Sequence, residues 1–373
     1  MAKNMKNFDQ PLFLSIIGLV IFGLVMMSSM SIAGSFELTG KNDFYFWRHF
    51  WHIVLGIPVF LIALRFPHEY LRKVSVLVFL ISIVLLLFTL VAGESFGTAA
   101  KSWVKIGPFP FQPVEFAKLA TVVFLAAIFS NGENNAQTLT GGFVPFAVVC
   151  GIPAVLIIAQ PDFGSLLVLI ITAAAVYFAA GAHLKHFLGG FGVFLAASSI
   201  IVMTNSYIAH RFKVFFDPSL DPLNTGFQVK QALIAIGSGG VFGRGFQNSI
   251  QKFDYLPEVQ SDTIFSAIAE EMGFFRILIL IGVYLFIAFR GFKIAKNAPD
   301  EFTRLLAIGI TTWIVGQAFM NIAVNLALLP NTGITLPLIS YGGSSMLMTL
   351  AGLGILLHIS AKGKGTKKRK YYY

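Results

Sequence analysis

Apolar runs of bilayer length recur along this chain from one end to the other, and nothing constrains its fold more. A helix needs roughly 20 apolar residues to cross a hydrocarbon core of about 30 Å. Ten runs approach or exceed that length: 11–33, 48–65, 74–93, 113–130, 142–159, 163–181, 186–204, 264–290, 303–328 and 340–360. Lipid cannot satisfy open backbone groups, so each run is expected to be helical. Charged residues make up only 12% of the chain, against roughly 25% in a soluble domain. The fold expected is an all-α integral membrane protein of about ten transmembrane helices. The first run is too long for the core of a signal peptide and has no Ala-x-Ala cleavage pattern, so it reads as a retained span.

Lysine and arginine in short loops set the orientation. With the N-terminus inside, the cytoplasmic segments hold Lys3, Lys6, Arg65, Arg72, Lys73, Lys185, Arg290, Lys293, Lys296 and Arg304. The short outer loops hold only Lys41, Arg48, Lys101 and Lys105. Both termini are thus expected in the cytoplasm, and the long loop 205–262, between spans seven and eight, outside it. Residues 1–361 read as one polytopic domain. The basic tail 362–373 reads as a disordered topology anchor that also touches anionic lipid. The net charge of +10 does not indicate nucleic-acid binding, because the positive charges lie between spans rather than on one soluble face. The single cysteine, Cys150, excludes a disulfide framework or a cysteine metal site within one chain.

The loop 205–262 carries Arg211, Lys213, Lys230, Arg244 and Lys252 and closes on Leu256-Pro257-Glu258 and Asp262. A basic loop closed by a carboxylate at a membrane boundary suits chemistry on an anionic, lipid-borne substrate. Asp262 stands just before the eighth span. It reads either as a general base whose proton affinity is raised by desolvation or as the N-cap of the helix, and the two readings are compatible. Glu270 and Glu271, further along, suggest a structural pairing with Arg276. Glu115 and Lys118 share one helix face; they either neutralise each other or line a polar cavity, with Lys118 offered to a phosphate. Asp162, in Gln160-Pro161-Asp162-Phe163-Gly164, is a cap or a cavity residue. The glycines of 237–245 suit a turn or an anion cradle. Gln317, Asn321 and Asn325, spaced one turn apart, suit helix–helix glue. The irregular stretch 329–345 is expected inside protein or beside a watery cavity. No grouping has metal-ligand spacing, and no Walker or Rossmann fingerprint is present.

Six segments together carry a resemblance to a known family. They are Gln112-Pro113-Val114-Glu115-Phe116-Ala117-Lys118-Leu119, Gln160-Pro161-Asp162-Phe163-Gly164, Ile234–Gly240, Leu256-Pro257-Glu258 with Asp262, Ala269-Glu270-Glu271-Met272-Gly273-Phe274, and Ser340-Tyr341-Gly342-Gly343-Ser344-Ser345. Over essentially the whole membrane region the chain resembles the SEDS family (shape, elongation, division and sporulation proteins), typified by RodA and FtsW. It departs from the family pattern at Thr263, where Phe is common, and at Val114, where Ser is usual. Residues 248–252 and 336–340 look closer to the division branch.

The resemblance implies a peptidoglycan glycosyltransferase of the bacterial cytoplasmic membrane. Its substrate would be lipid II, a disaccharide-peptide on undecaprenyl pyrophosphate, polymerised at the outer face. Asp262 matches the family's essential residue, and Glu115, Lys118 and Asp162 match polar positions of its central cavity. A class B penicillin-binding protein would be the partner, within the divisome or elongasome. Under this reading Arg211, Lys213, Arg244 and Lys118 are candidates for holding the pyrophosphate, and Glu258 joins the substrate-binding set. The residues name no cofactor, and a divalent cation is compatible with a pyrophosphate leaving group. Two rivals stand beside it: a carrier such as a lipid II flippase, suggested by Glu115, Lys118 and Asp162 within the bundle, and a non-enzymatic scaffold.

Overall fold

A computed structural model describes residues 8–95, 101–107, 109–130, 136–183, 185–186, 188–190, 192, 206–253 and 255–369. The chain opens with α1 (Gln10–Thr39), α2 (Phe44–Arg65), the short α3 (His68–Lys73) and α4 (Ser75–Ala92). A small hairpin of β1 (Val104–Ile106) and β2 (Phe109–Phe111) precedes α5 (Pro113–Phe129), α6 (Val144–Ala159) and α7 (Phe163–Ala179). Then come α8 (Ser206–Phe216), α9 (Thr225–Gly239), α10 (Ile264–Lys296), α11 (Glu301–Asn325) and α12 (Gly343–Arg369).

Seven of the expected spans coincide with helical segments long and apolar enough to cross a bilayer: α1, α2, α4, α6 with its preceding π turn, α10, α11 and α12. The 113–130 and 163–181 spans are helices of 17 residues each. The 186–204 span lies largely outside the described residues. The protein is a multi-pass, helical membrane protein; among the described residues one short hairpin departs from all-α.

Burial separates inner helices from outer ones. In α11 and α12, 78% of the apolar window is buried, against 28% in α4. The outer face of α4 exposes Val76, Leu77, Leu80, Val84, Leu87, Phe88 and Val91. Apolar surface of that extent belongs in lipid rather than water. α2 lies along α12, where Gly56 faces Leu350 and Gly354 meets the Phe60 carbonyl; small residues let helix backbones approach closely inside a bilayer. At one end of the bundle Asp9 joins three helices. Its carboxylate accepts from Leu12 N (3.1 Å) and from Arg290 Nε (3.0 Å), and its amide donates to Ser360 Oγ (2.9 Å).

At the other end the segment 206–262 is folded onto the bundle. It comprises α8, a 3₁₀ turn at Pro218–Leu220, α9 and a series of turns. The helix that follows is not the continuous span that 264–290 suggests. Gly273 adopts φ 77°, ψ 175° and divides α10 into 264–272 and 274–296. A Cβ on Gly273 would lie 2.1 Å from Gly243 N, and one on Gly243 would lie 2.2 Å from Glu271 O. Backbone bonds seal this contact: Arg244 N to Glu270 O (2.9 Å), Gly245 N to Glu271 O (3.0 Å) and Phe274 N to Gly240 O (2.9 Å). Of the two readings of the glycine run, the turn is formed, at 240–242, with Gly243 N donating to Gly239 O (2.8 Å). The anion cradle is not, because the amides of Gly243, Arg244 and Gly245 are bonded to carbonyls, and the glycines also allow the close approach of loop and broken helix.

Candidate active site

The turn before α10 presents Asp262. Thr263 Oγ1 donates to Pro257 O (2.6 Å) and Ser261 N to Glu258 O (2.9 Å). Glu258 itself holds φ 52°, a left-handed conformation uncommon outside glycine and most often met at functional sites. Two asparagines of α11 grip the turn from below. Asn321 Nδ2 and Asn325 Nδ2 both donate to the Asp262 carbonyl, at 2.9 and 2.8 Å. Asn325 is oriented in turn by Ser266 Oγ, which donates to its Oδ1 (2.7 Å). The one-turn spacing of these asparagines reads as helix glue from sequence. Only the fold reveals that what they hold is the backbone of the candidate base.

The carboxylate of Asp262 is lightly bonded. Gln228 Nε2 and Ser261 Oγ each approach to 3.4 Å. It does not cap α10, whose N-cap is Thr263. Burial, and then the charge of Glu258, push the Asp262 carboxyl up to about 7, against the opposing pull of its own backbone amide, then of Arg211 and Gln228. Arg211 reaches the site from α8 and donates to Asn331 O (2.9 Å), while Asn331 Nδ2 donates to Gln228 Oε1 (2.6 Å). The structure therefore gathers Asp262, Glu258, Arg211, Gln228 and Asn331. Glu258 is exposed, as is Lys213 in the last turn of α8. Arg244 turns instead to Glu270 (Nε to Oε1, 3.3 Å).

A second polar cluster lies deeper. Lys118 Nζ donates to Glu115 Oε1 (2.8 Å) and to Gln317 Oε1 (2.7 Å), and Gln317 Nε2 reaches Thr335 O and Oγ1 at 3.2 Å. The Lys118 side chain is fully buried. The mutual neutralisation expected of this pair is formed. Asp162 caps α7 through Ser165 N (3.0 Å) and also accepts from Gln112 Nε2 (3.2 Å). The irregular stretch 329–342 links the clusters as a buried spine: Asn331 bonds Gln228, Ile334 O accepts from Asn321 Nδ2, and Thr335 bonds Gln317 and Ser345. Irregular backbone at this depth is tolerated because protein groups satisfy it.

The expected pairing of a glutamate with Arg276 is not formed. Arg276 donates to the carbonyls of Phe242 and Met272. Glu271 instead meets Lys252 Nζ (2.9 Å) and Ser29 Oγ (2.6 Å), all three buried. Glu270 accepts from Ser249 Oγ (2.6 Å), Ile250 N and Gln251 N. The break at Gly273 falls between these glutamates and Arg276, and their separations of five and six residues are not those at which side chains meet on one helix face. Among the described residues no cluster of three or more His, Cys, Asp or Glu side chains is placed to hold a metal ion.

The polytopic helical bundle defines the class as a multi-pass membrane protein. The chain belongs to the FtsW/RodA/SpoVE cell cycle protein family, whose model matches residues 10–365. A relative from Idiomarina loihiensis, named "Probable peptidoglycan glycosyltransferase FtsW", is 37% identical over 94% of this chain and 87% of its own length. One of the same name from Bacillus subtilis is 37% identical over 99% and 94%. Among solved structures, a chain of a peptidoglycan synthase complex that coordinates polymerization and crosslinking superposes with TM-score 0.79 at 27% identity, covering 95% of this chain and 98% of that one. The rod shape determining protein RodA of Thermus thermophilus gives 0.70 at 26%, covering 98% of each chain.

Proposed function

We propose that this chain is a peptidoglycan glycosyltransferase of the FtsW type that polymerises lipid II at the outer face of the bacterial cytoplasmic membrane, with both termini in the cytoplasm. The names of its relatives support the activity. The observation that supports the chemistry is the Asp262 carboxyl, freed from capping and held near 7 by its surroundings. A base works best when its proton affinity lies near the operating pH.

In this reading Asp262 takes the proton from the GlcNAc 4-hydroxyl of the acceptor. That oxygen attacks C1 of the donor MurNAc, the C1–O bond to phosphate breaks, and undecaprenyl pyrophosphate departs with inversion. Arg211 is the cation best situated to meet the departing charge, with the exposed Lys213 beside it on α8. Glu258 tunes the base. Asp162, Glu115 and Lys118 shape the floor beneath the substrate, and Arg244 braces the loop through Glu270. The likeness to a chain of a synthase complex supports a transpeptidase partner of the class B penicillin-binding type, and the FtsW relatives favour a role in division.

The deciding experiment gives the purified protein, with its partner, labelled lipid II. A glycan ladder from wild type and none from Asp262→Asn is the expected result. Lipid movement between leaflets without glycan product would replace this reading with that of a carrier.

A further inference from the structure

We infer that the end of α10 remote from Asp262 carries a seat for one anionic phospholipid, its phosphate held by Lys293 and Lys296. Helix 274–296 is about 33 Å long at about 1.5 Å per residue, close to the thickness of the hydrocarbon core. Gly273 lies at the Asp262 end, so the last turns of the helix emerge at the opposite headgroup layer. There a depression of about 620 Å³ opens, lined by Phe289, Phe292, Lys293, Lys296 and Asn297.

A pair of lysines at a helix C-terminus is ordinary, because the carbonyl end of the helix favours cations. Three further features make this pair a site. First, no carboxylate lines the depression: Asp9, the acid of the adjoining 210 Å³ cavity, is bonded to Arg290. Second, the lysines sit one turn beyond two exposed aromatic rings, Phe289 (60%) and Phe292 (47%). Lys293 Nζ stands 5.8 Å from the Phe289 ring centroid. The rings are at acyl depth and the ammonium groups at phosphate depth, the arrangement that amphipathic lipid demands. Third, α12 closes the rear: a Cβ on Gly363 would lie 2.3 Å from Asn297 O. That contact brings the turn of α12 that holds Lys362 alongside the same corner. Charge complementarity therefore selects a lipid of net negative charge over a zwitterionic or neutral one.

Native mass spectrometry of the full-length protein tests this, after equilibration with phosphatidylglycerol or with phosphatidylcholine. Wild type is expected to retain one phosphatidylglycerol in preference to phosphatidylcholine. K293Q/K296Q should bind it about 30-fold more weakly, from two lysines near the surface. F289A/F292A, which keeps both charges, should also lose lipid, whereas R72Q/K73Q, with the same loss of charge elsewhere, should not. Inorganic phosphate at millimolar concentration should fail to displace the lipid. Equal retention of the two lipids by wild type overturns the inference, as does equal weakening by R72Q/K73Q. Displacement by free phosphate would show a simple anion site and overturn it too. The wild-type comparison stands even if a variant fails to fold, and K293R/K296R, expected to keep the lipid, covers that case.

Discussion

Two aspartates, Asp162 and Asp262, occupy the same kind of position: each ends an irregular turn and precedes an apolar helix. Their fates differ. Asp162 is the N-cap of α7, with one carboxylate oxygen on Ser165 N at 3.0 Å and the other on Gln112 at 3.2 Å. Asp262 stands one residue too early to cap. Thr263 takes the N-cap position and turns its hydroxyl back to Pro257. The Asp262 carboxylate is left with contacts of 3.4 Å, while its backbone carbonyl is gripped by two asparagines at under 3 Å. The chain at Asp262 is fixed and the acid is left free. Capping uses up a carboxylate; a one-residue offset releases it for chemistry.

The sharpest way to break this contrast is to remove each charge while keeping its shape. Asp262→Asn should lower lipid II polymerisation by about 10²- to 10⁴-fold, the usual contribution of a general base, with a melting temperature no lower than that of wild type. Asp162→Asn should keep most of the activity, since asparagine caps as well as aspartate. Equal loss in both variants, read on the same glycan gels, would erase the distinction. Next in size is the support beneath the Asp262 half of the molecule. Lys252→Met strands Glu271 in a buried setting and should cost about 3–5 kcal/mol, seen as a lower melting temperature in detergent. Adding Glu271→Leu should recover much of that loss, because no bare charge then remains.

The same contrast explains what the sequence disclosed. Helical spans were legible because apolar length alone demands them. Glu115 and Lys118 were legible as a pair because i, i+3 spacing is local geometry. The Lys252–Glu271–Ser29 triad was not, since it joins segments 19 and 242 residues apart. Nor was the true partner of Arg276, the carbonyl of Phe242, 34 residues away. At Asp262, cap and base looked alike because the choice turns on where the first helical residue falls, and boundaries of helices are blurred by one or two residues. The asparagines of α11 announced polar contact but not its object.

Smaller effects should separate backbone positioning from acid strength. Asn325→Ala removes one donor to the Asp262 carbonyl and should reduce kcat about tenfold, one hydrogen bond's worth, with KM for lipid II unchanged. Asp262 should give the rate an acid limb, because the base must be ionised, with activity rising as pH passes about 7. Glu258→Gln removes a charge that raises the Asp262 value, so the limb should move to lower pH. The sign for stability is opposite. From the ordinary value of 3.8 up to about 7 the folded state holds a proton that the unfolded state has released. Stability from this group is therefore full below 3.8 and falls as pH rises through that window. Asp262→Asn should remove this dependence while Asp162→Asn leaves it. A rate profile unmoved by Glu258→Gln would mean that Glu258 does not act on the base.

The smallest expected effect belongs to the cap itself. Asp162→Ala removes the acceptor for Ser165 N and should destabilise the protein by about 1 kcal/mol, the usual cost of a lost N-cap. Asp262→Ala should cost less than that in stability, because it caps nothing and its carbonyl still binds Asn321 and Asn325. It also removes a carboxyl that is unfavourably desolvated when ionised. Melting both variants above pH 7, where Asp262 is ionised in the wild type, maximises the difference. If Asp262→Ala proved the more destabilising of the two, the carboxylate would be carrying structural load, and its freedom for proton transfer would have to be abandoned.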